Sequence, residues 1–389
     1  MKLLREKFVY AGIIGVVIML VILSLSFSQS YHPTPKEMPV AVVVADKGLD
    51  FPGKGQVNAG QTMADNIMAK INEQAEPPVK LTLISSEQEA MEALNDNKYY
   101  AAFIFPEDFS TKQASLQSTT PVSPEIKIIV NQGKNATAST AVTQLLSQLV
   151  DTMNTQIRTQ TFAAIKQQGN GLTTEQAELF YAPITKNIVN VNPSGVNNSG
   201  AAPAMLTNPV WIVSLIFALM VYQLSKKQSF INKKEKAGII TEKIAIGILF
   251  AFLIGFTAPG IASVLGMEIP NFAQTGLFLA ITAFSFYLLI ECVLEWLGMP
   301  GFFLFPVIMF IGLPILALPV EFIPEFPQNF IYPWLPQRFS LGGLQQIMFF
   351  GKGVFNIYTG TLLLIAAAAM VIMYASVIRV RHKDRASTQ

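Results

Sequence analysis

IAIGILFAFLIGFTAPGIASVL, residues 244–265, runs for twenty-two positions without a charged side chain. A hydrocarbon layer roughly 30 Å thick takes about 20 apolar residues to cross as a helix, which satisfies its own backbone where no water can. Five further stretches read the same way: 8–27, 209–224, 272–290, 301–320 and 357–380. The shortest, 209–224, makes only about 24 Å of helix. Its flanks favour it: Asn208 suits a cap, Pro209 a first turn, and Trp211 and Tyr222 the two interfaces. Composition agrees, since 51% of the 389 residues are hydrophobic and 13% charged, about half the charge of a soluble chain. Mean hydropathy is +0.42. A formal charge of +2 leaves no electrostatic footprint for nucleic acid. One cysteine, Cys292, excludes an intrachain disulfide, and His32 and His382 leave little for zinc sites or serine-type triads. The chain reads as a multi-pass membrane protein without covalent chemistry of its own.

Lys2, Arg5 and Lys7 ahead of the first span, with Ser26-Phe27-Ser28 behind it, match a cleaved signal peptide. The sixteen-residue apolar run from Phe8 to Leu23 is long for such a core, and the span is read as retained. Orientation follows from basic residues. Those three, then Lys226, Lys227, Lys233, Lys234, Lys236 and Lys243 after the second span, then Arg379, Arg381, Lys383 and Arg385 in the tail, alternate onto one side. The positive-inside rule makes that side cytoplasmic, with both termini there. The expected plan is residues 1–28 as start and first span, 29–207 as an extracytoplasmic domain, and 208–389 as five further spans. The last region includes a cytoplasmic loop at 225–243 and a re-entrant segment at 321–352.

Within 29–207, the β-branched run at 39–45 and the stretches 79–84, 99–105 and 126–130 read as strands, and 64–71 and 86–94 as helices. Their alternation predicts a small α/β layer with a partly parallel sheet. Val142, Leu145, Leu146, Leu149, Met153 and Ile157 keep helical spacing, which predicts a long helix over 135–167. Thr173-x-x-Gln176 opens a further helix, 175–188, and 190–203 is a linker. Gly48 to Gly55 spells Gly-x-x-x-x-Gly-Lys, but Gly55 stands where a phosphate loop needs Ser or Thr for magnesium. It is read as a turn, so the chain lacks a nucleotide-hydrolysing module.

Glu291 and Glu295, i and i+4, share a helix face. With the span centred near residues 280–282, Glu291 lies about 15 Å from the middle by helical rise. Pairing with a lysine of the neighbouring loop is the plainer reading; a proton relay is the sharper one. The loop 225–243 mixes six lysines with Phe230, Ile231, Ile239 and Ile240. It reads as headgroup contact, or as a short coupling helix that docks on a partner through Phe230, Ile231, Lys233, Lys234, Lys236 and Ile239. The segment 321–352 is too apolar for a loop and too rich in proline for a span; broken helices dipping into the outer leaflet suit it. Pro306, Pro314 and Pro319 are expected to kink the fifth span.

One span, a large outer domain, five spans, a basic loop and a proline-rich re-entrant segment together resemble an ABC-2 type permease. Val-Val-Ala-Asp46-Lys47-Gly48, Tyr99-Tyr-Ala-Ala-Phe-Ile-Phe-Pro-Glu-Asp-Phe-Ser110 and Val130-Asn131-Gln132 with Asn135 are similar to its phage-infection-protein branch. That resemblance implies a dimeric exporter subunit, of like or unlike chains, in the cell membrane of a Gram-positive bacterium. It implies an ABC ATPase partner that binds ATP and Mg, no cofactor on this chain, contacts with membrane lipid, and a lipophilic or envelope-related substrate. It also implies that Met1–Phe8 and the loop near Lys233–Lys236 face the ATPase, and that Pro333, Trp334 and Pro336 line an outer gate. Many relatives carry a far longer outer insertion. The alternative is a non-transporting surface anchor or phage-receptor-like protein that presents the outer domain.

Overall fold

The computed structural model describes residues 35–51, 55–118, 120–168, 174–194, 199–228 and 232–379. The first span and the tail basic residues beyond Arg379 lie outside them. The chain divides into an α/β unit, Thr34–Ser194, and a helical unit from Gly195 onward.

The α/β unit runs β1 (Met38–Val44), β2 (Leu49–Phe51), β3 (Gly55–Val57), α1 (Ala59–Asn72), β4 (Val79–Ile84), α2 (Glu87–Asn95), β5 (Ala101–Phe105), α3 (Phe109–Ser115), β6 (Glu125–Asn131), α4 (Ala136–Gln168), α5 (Thr174–Leu179) and β7 (Thr185–Val191). Five strands form one sheet in the order β4-β1-β5-β6-β7. β1 runs parallel to both β4 and β5, β5 and β6 are antiparallel, and β6 and β7 are parallel. Continuous apolar strands are what a sheet covered on both faces requires. Ala41, Val43, Ala102, Ile104 and Ile129 bury one face under Ala90 and Leu94 of α2. α4 packs on β5 and β6 through the buried stripe Val142, Leu146, Val150, Met153 and Ile157.

One expectation fails here. The stretch read as a helix over 175–188 is a six-residue helix followed by a strand. Pro183 cannot continue the helix, and Asn154 of α4 exchanges two hydrogen bonds with Ile184 (2.6 and 3.1 Å) that aim the chain along β6. The supposed linker therefore starts only after Val191.

Among the described residues, the helical unit has five helices long and apolar enough to cross a membrane, the mark of a multi-pass membrane protein. They are α6 (Ala202–Lys226), α7 (Lys233–Val264), α8 (Phe272–Leu297), the pair α9 (Met299–Phe302) and α10 (Leu304–Ala317) counted as one, and α13 (Ile357–Ala375). Short pieces lie between α10 and α13: α11 (Glu325–Phe330), a turn of 3-10 helix at Tyr332–Trp334, and α12 (Gln337–Met348). α8 is the hub, in contact with α6, α7, α12 and α13. Its Phe278, Phe286 and Tyr287 are fully buried, and Trp211 of α6 meets Phe286 edge-on at 4.8 Å.

The second span begins seven residues earlier than expected, because Pro203 occupies the first turn and Pro209 is tolerated inside the helix. The fourth continues seven residues past 290, which puts both glutamates inside α8. The loop read over 225–243 shrinks to residues 227–232. The Asn232 side chain accepts from the Glu235 amide (2.9 Å) and donates to its carboxylate (3.0 Å), an N-cap that starts α7 at Lys233.

α7 and α8 approach closely at Gly255, where an added Cβ would lie 2.5 Å from the Ala280 backbone nitrogen. A backbone atom cannot rotate aside, so Gly255→Ala forces the helices apart. We expect it to lower stability by about 1–3 kcal/mol, as overpacking does, read as a lower melting temperature of the purified chain in detergent. An unchanged melt would mean the two helices separate freely.

Candidate functional site

Four charged side chains converge where α6 ends and α7 begins. Lys236 and Lys243, seven residues apart on α7, face Glu291 and Glu295 on α8. Lys243 Nζ lies 3.1 Å from Glu291 Oε2 and 3.0 Å from Glu295 Oε2, and Lys236 Nζ lies 3.1 Å from Glu295 Oε1. Lys236 also donates to the Ser376 carbonyl (3.0 Å), and the Ser376 hydroxyl donates to Glu295 (3.2 Å), which brings in the end of α13. Tyr287 donates to the Lys243 carbonyl at 3.0 Å. Three helices are thus joined through one charge-balanced cluster.

Burial gives the cluster its weight. Glu291 is 0% exposed and Lys243 is 3% exposed. A bare ion there costs several kcal/mol, which only close pairing offsets. The Glu291 Oε1 atom has no hydrogen-bond partner among the described residues. Because α8 extends to Leu297, Glu291 sits about 10 Å from the helix middle by helical rise rather than about 15 Å. A cavity of about 170 Å³ adjoins the cluster, walled by Tyr222, Lys226, Lys236, Ile239, Lys243 and Glu295.

The other residues singled out by sequence fall into three groups. Lys233 and Lys234 project from the first turn of α7 into the open, Ile239 is half-buried, and Phe230 and Ile231 lie outside the described residues. Pro333 and Trp334 are exposed, Trp334 at 82%, whereas Pro336 is buried and leads into α12. α12 packs inside the bundle, where Leu344 and Ile347 join its core and Ser340 bonds Thr207 at 2.8 Å. Among the described residues, no group of three or more His, Cys, Asp or Glu side chains gathers to hold a metal.

In the α/β unit, the described parts of the Gly48–Gly55 stretch belong to β2 and to β3, which pair antiparallel ahead of α1. In the first turn of α1 the Gly60 amide is already occupied by an internal anion, and the Ala59 and Gln61 amides by Ser110 and Asn58. Asp46, 7% exposed, accepts from the Gly60 amide (2.9 Å), the Ser110 amide (3.0 Å), the Ser110 hydroxyl (2.5 Å) and the Gly48 amide (3.2 Å). Negative charge belongs at a helix N-terminus, and here the protein supplies it. The quoted strings ending in Gly48 and Ser110 thus meet at one knot, to which Lys47 and Glu107 add an ion pair. Asn131, from the third string, donates to the Leu94 and Tyr99 carbonyls (2.9 and 3.2 Å). All three strings are explained by packing.

Residues 11–373 match a family described as a protein of unknown function, DUF3533. The chain belongs to that family. No curated protein matches it. Among solved structures, a domain of a candidate ABC type-2 transporter from Thermotoga maritima MSB8 aligns at 16% identity over 39% of this chain and 86% of its own, with a TM-score of 0.25. That overlap is too slight to assign a fold. In this DUF3533 chain the site is therefore defined by its own geometry, the buried cluster behind the 227–232 connection.

Proposed function

We propose that the chain is the permease subunit of an ATP-driven ABC-2 type exporter, similar to the phage-infection-protein branch, moving a lipophilic or envelope-related substrate out of the cell. The observation that supports this reading is the ion cluster. The 227–232 connection leads directly into a helix whose Lys236 and Lys243 are locked to two others, so a push on the connection reaches the bundle. In this reading the connection is cytoplasmic and docks on a separate ATPase that binds ATP and Mg. The permease pairs with a like or unlike copy, and Pro333, Trp334 and Pro336 belong to an outer gate.

In this reading the apolar Phe230 and Ile231 insert into a pocket on the ATPase, as buried anchors do at interfaces. Changing both to Ser is expected to leave membrane insertion and dimerisation intact while uncoupling ATP hydrolysis from transport. Full substrate-stimulated ATPase activity in the double variant would reduce the connection to a charged tether, and purification without any ATPase would sink the reading itself. The alternative, a surface receptor, draws on the separateness of the Thr34–Ser194 unit. Phage adsorption to cells that display this unit on an unrelated anchor would favour it.

A further inference from the structure

α6 and α7 are antiparallel neighbours: Tyr222 and Lys226 face Lys236 and Lys243 beside the ion cluster, and at the other end residues 205–213 face residues 254–262. That other end holds an apolar cleft of about 680 Å³. Met205, Pro209 and Val213 of α6 wall one side, and Ile254, Ala258 and Ile261 of α7 the other. None of its lining residues is charged, and its polar Thr257 hydroxyl is spent on the Leu253 carbonyl at 2.6 Å. A cleft of this shape calls for a helix or an acyl chain.

Sheet topology singles out one occupant. The register places Val40 of β1 beside Ala101, Ala101 beside Val130, and Val130 beside Asn190 of β7. The start of β1 and the end of β7 therefore lie at the same end of the sheet. Three strand spacings, about 14 Å, separate them. Ten residues separate residue 27 from β1, and ten separate β7 from α6. The chain segments that lead to 8–27 and to α6 therefore meet the sheet at the same end, and the N-terminal end of α6 is the one that walls the cleft.

We infer that residues 8–27 of this same chain fill the cleft as a helix antiparallel to α6, with Leu23 at the level of Met205. The inference concerns how the bundle is completed and does not depend on the exporter reading.

Cysteine cross-linking of the full chain in membranes tests it. In a Cys292→Ala background, Leu20 to Ser24 are changed to Cys one at a time, each with Met205→Cys or Ile261→Cys. Both partners are exposed, at 51% and 56%, so the changes disturb little. A protease site inserted after Gly171 separates the two halves. The expected result is that, after oxidation, most of the cut chain stays joined until reduced for at least one position with each partner. Leu364→Cys, 69% exposed on α13 and not part of the cleft, should give background joining only. Cross-links only between two copies would assign the cleft to a second chain. No cross-link at any of the five positions would assign it to lipid. Either outcome overturns the inference.

Discussion

Lys243→Met is expected to cost about 3–5 kcal/mol of stability, the penalty for removing one member of a buried ion pair and leaving the other charged. Glu295 keeps Lys236, but among the described residues Glu291 has Lys243 as its one cationic partner within 4.0 Å. The loss should therefore trace to Glu291. Adding Glu291→Gln to Lys243→Met should restore most of the stability, since the stranded charge is then gone. Thermal unfolding of the full chain in one detergent, for the two single variants and the double, measures the coupling. A Lys243→Met chain that melts like the parent would show that the cluster is wet and carries no energy.

Asp46→Ala should be as costly for the α/β unit, by about 3–5 kcal/mol, because a buried donor left unsatisfied costs about 1–3 kcal/mol and three amides and a hydroxyl lose their acceptor. Hydrogen exchange on the full chain should show the starts of α1 and α3 losing protection together, although α1 begins at residue 59 and α3 at 109. Protection lost at only one of them would break the proposed knot.

Local pattern carried much of the architecture. β4 coincides with the stretch read at 79–84, and the long helix differs from its expected bounds by one residue at each end. Strong periodicity and clear stops made these legible. β7 was hidden because its strand character comes from pairing with β6, some sixty residues earlier, whereas the Thr-x-x-Gln pattern ahead of it favours a helix. The start of α7 was readable after all, since Asn232 ahead of Lys-Lys-Glu235 is an N-cap in plain sight. The carboxylates could be flagged from spacing alone. Which lysines answer them could not, because that depends on how α7 crosses α8. Likewise Asp46 and Ser110 are 64 positions apart, and only the fold brings them together.

The length of α7 gives the cluster a mechanical meaning. From Lys233 to Lys243 the helix rises about 15 Å, and from Lys243 to Val264 about 32 Å. The helix is held near one third of its length by the bonds of Lys243 to two carboxylates. A rod pinned there is a lever with unequal arms. Were Lys243 the sole restraint, a sideways shift of the first turn would swing the far end roughly twice as far in the opposite direction, in the ratio the helical rise sets. The short arm is also tied by Lys236 to Glu295 and Ser376, and the long arm is seated on α8 at Gly255, so the pivot is ionic on one side and steric on the other.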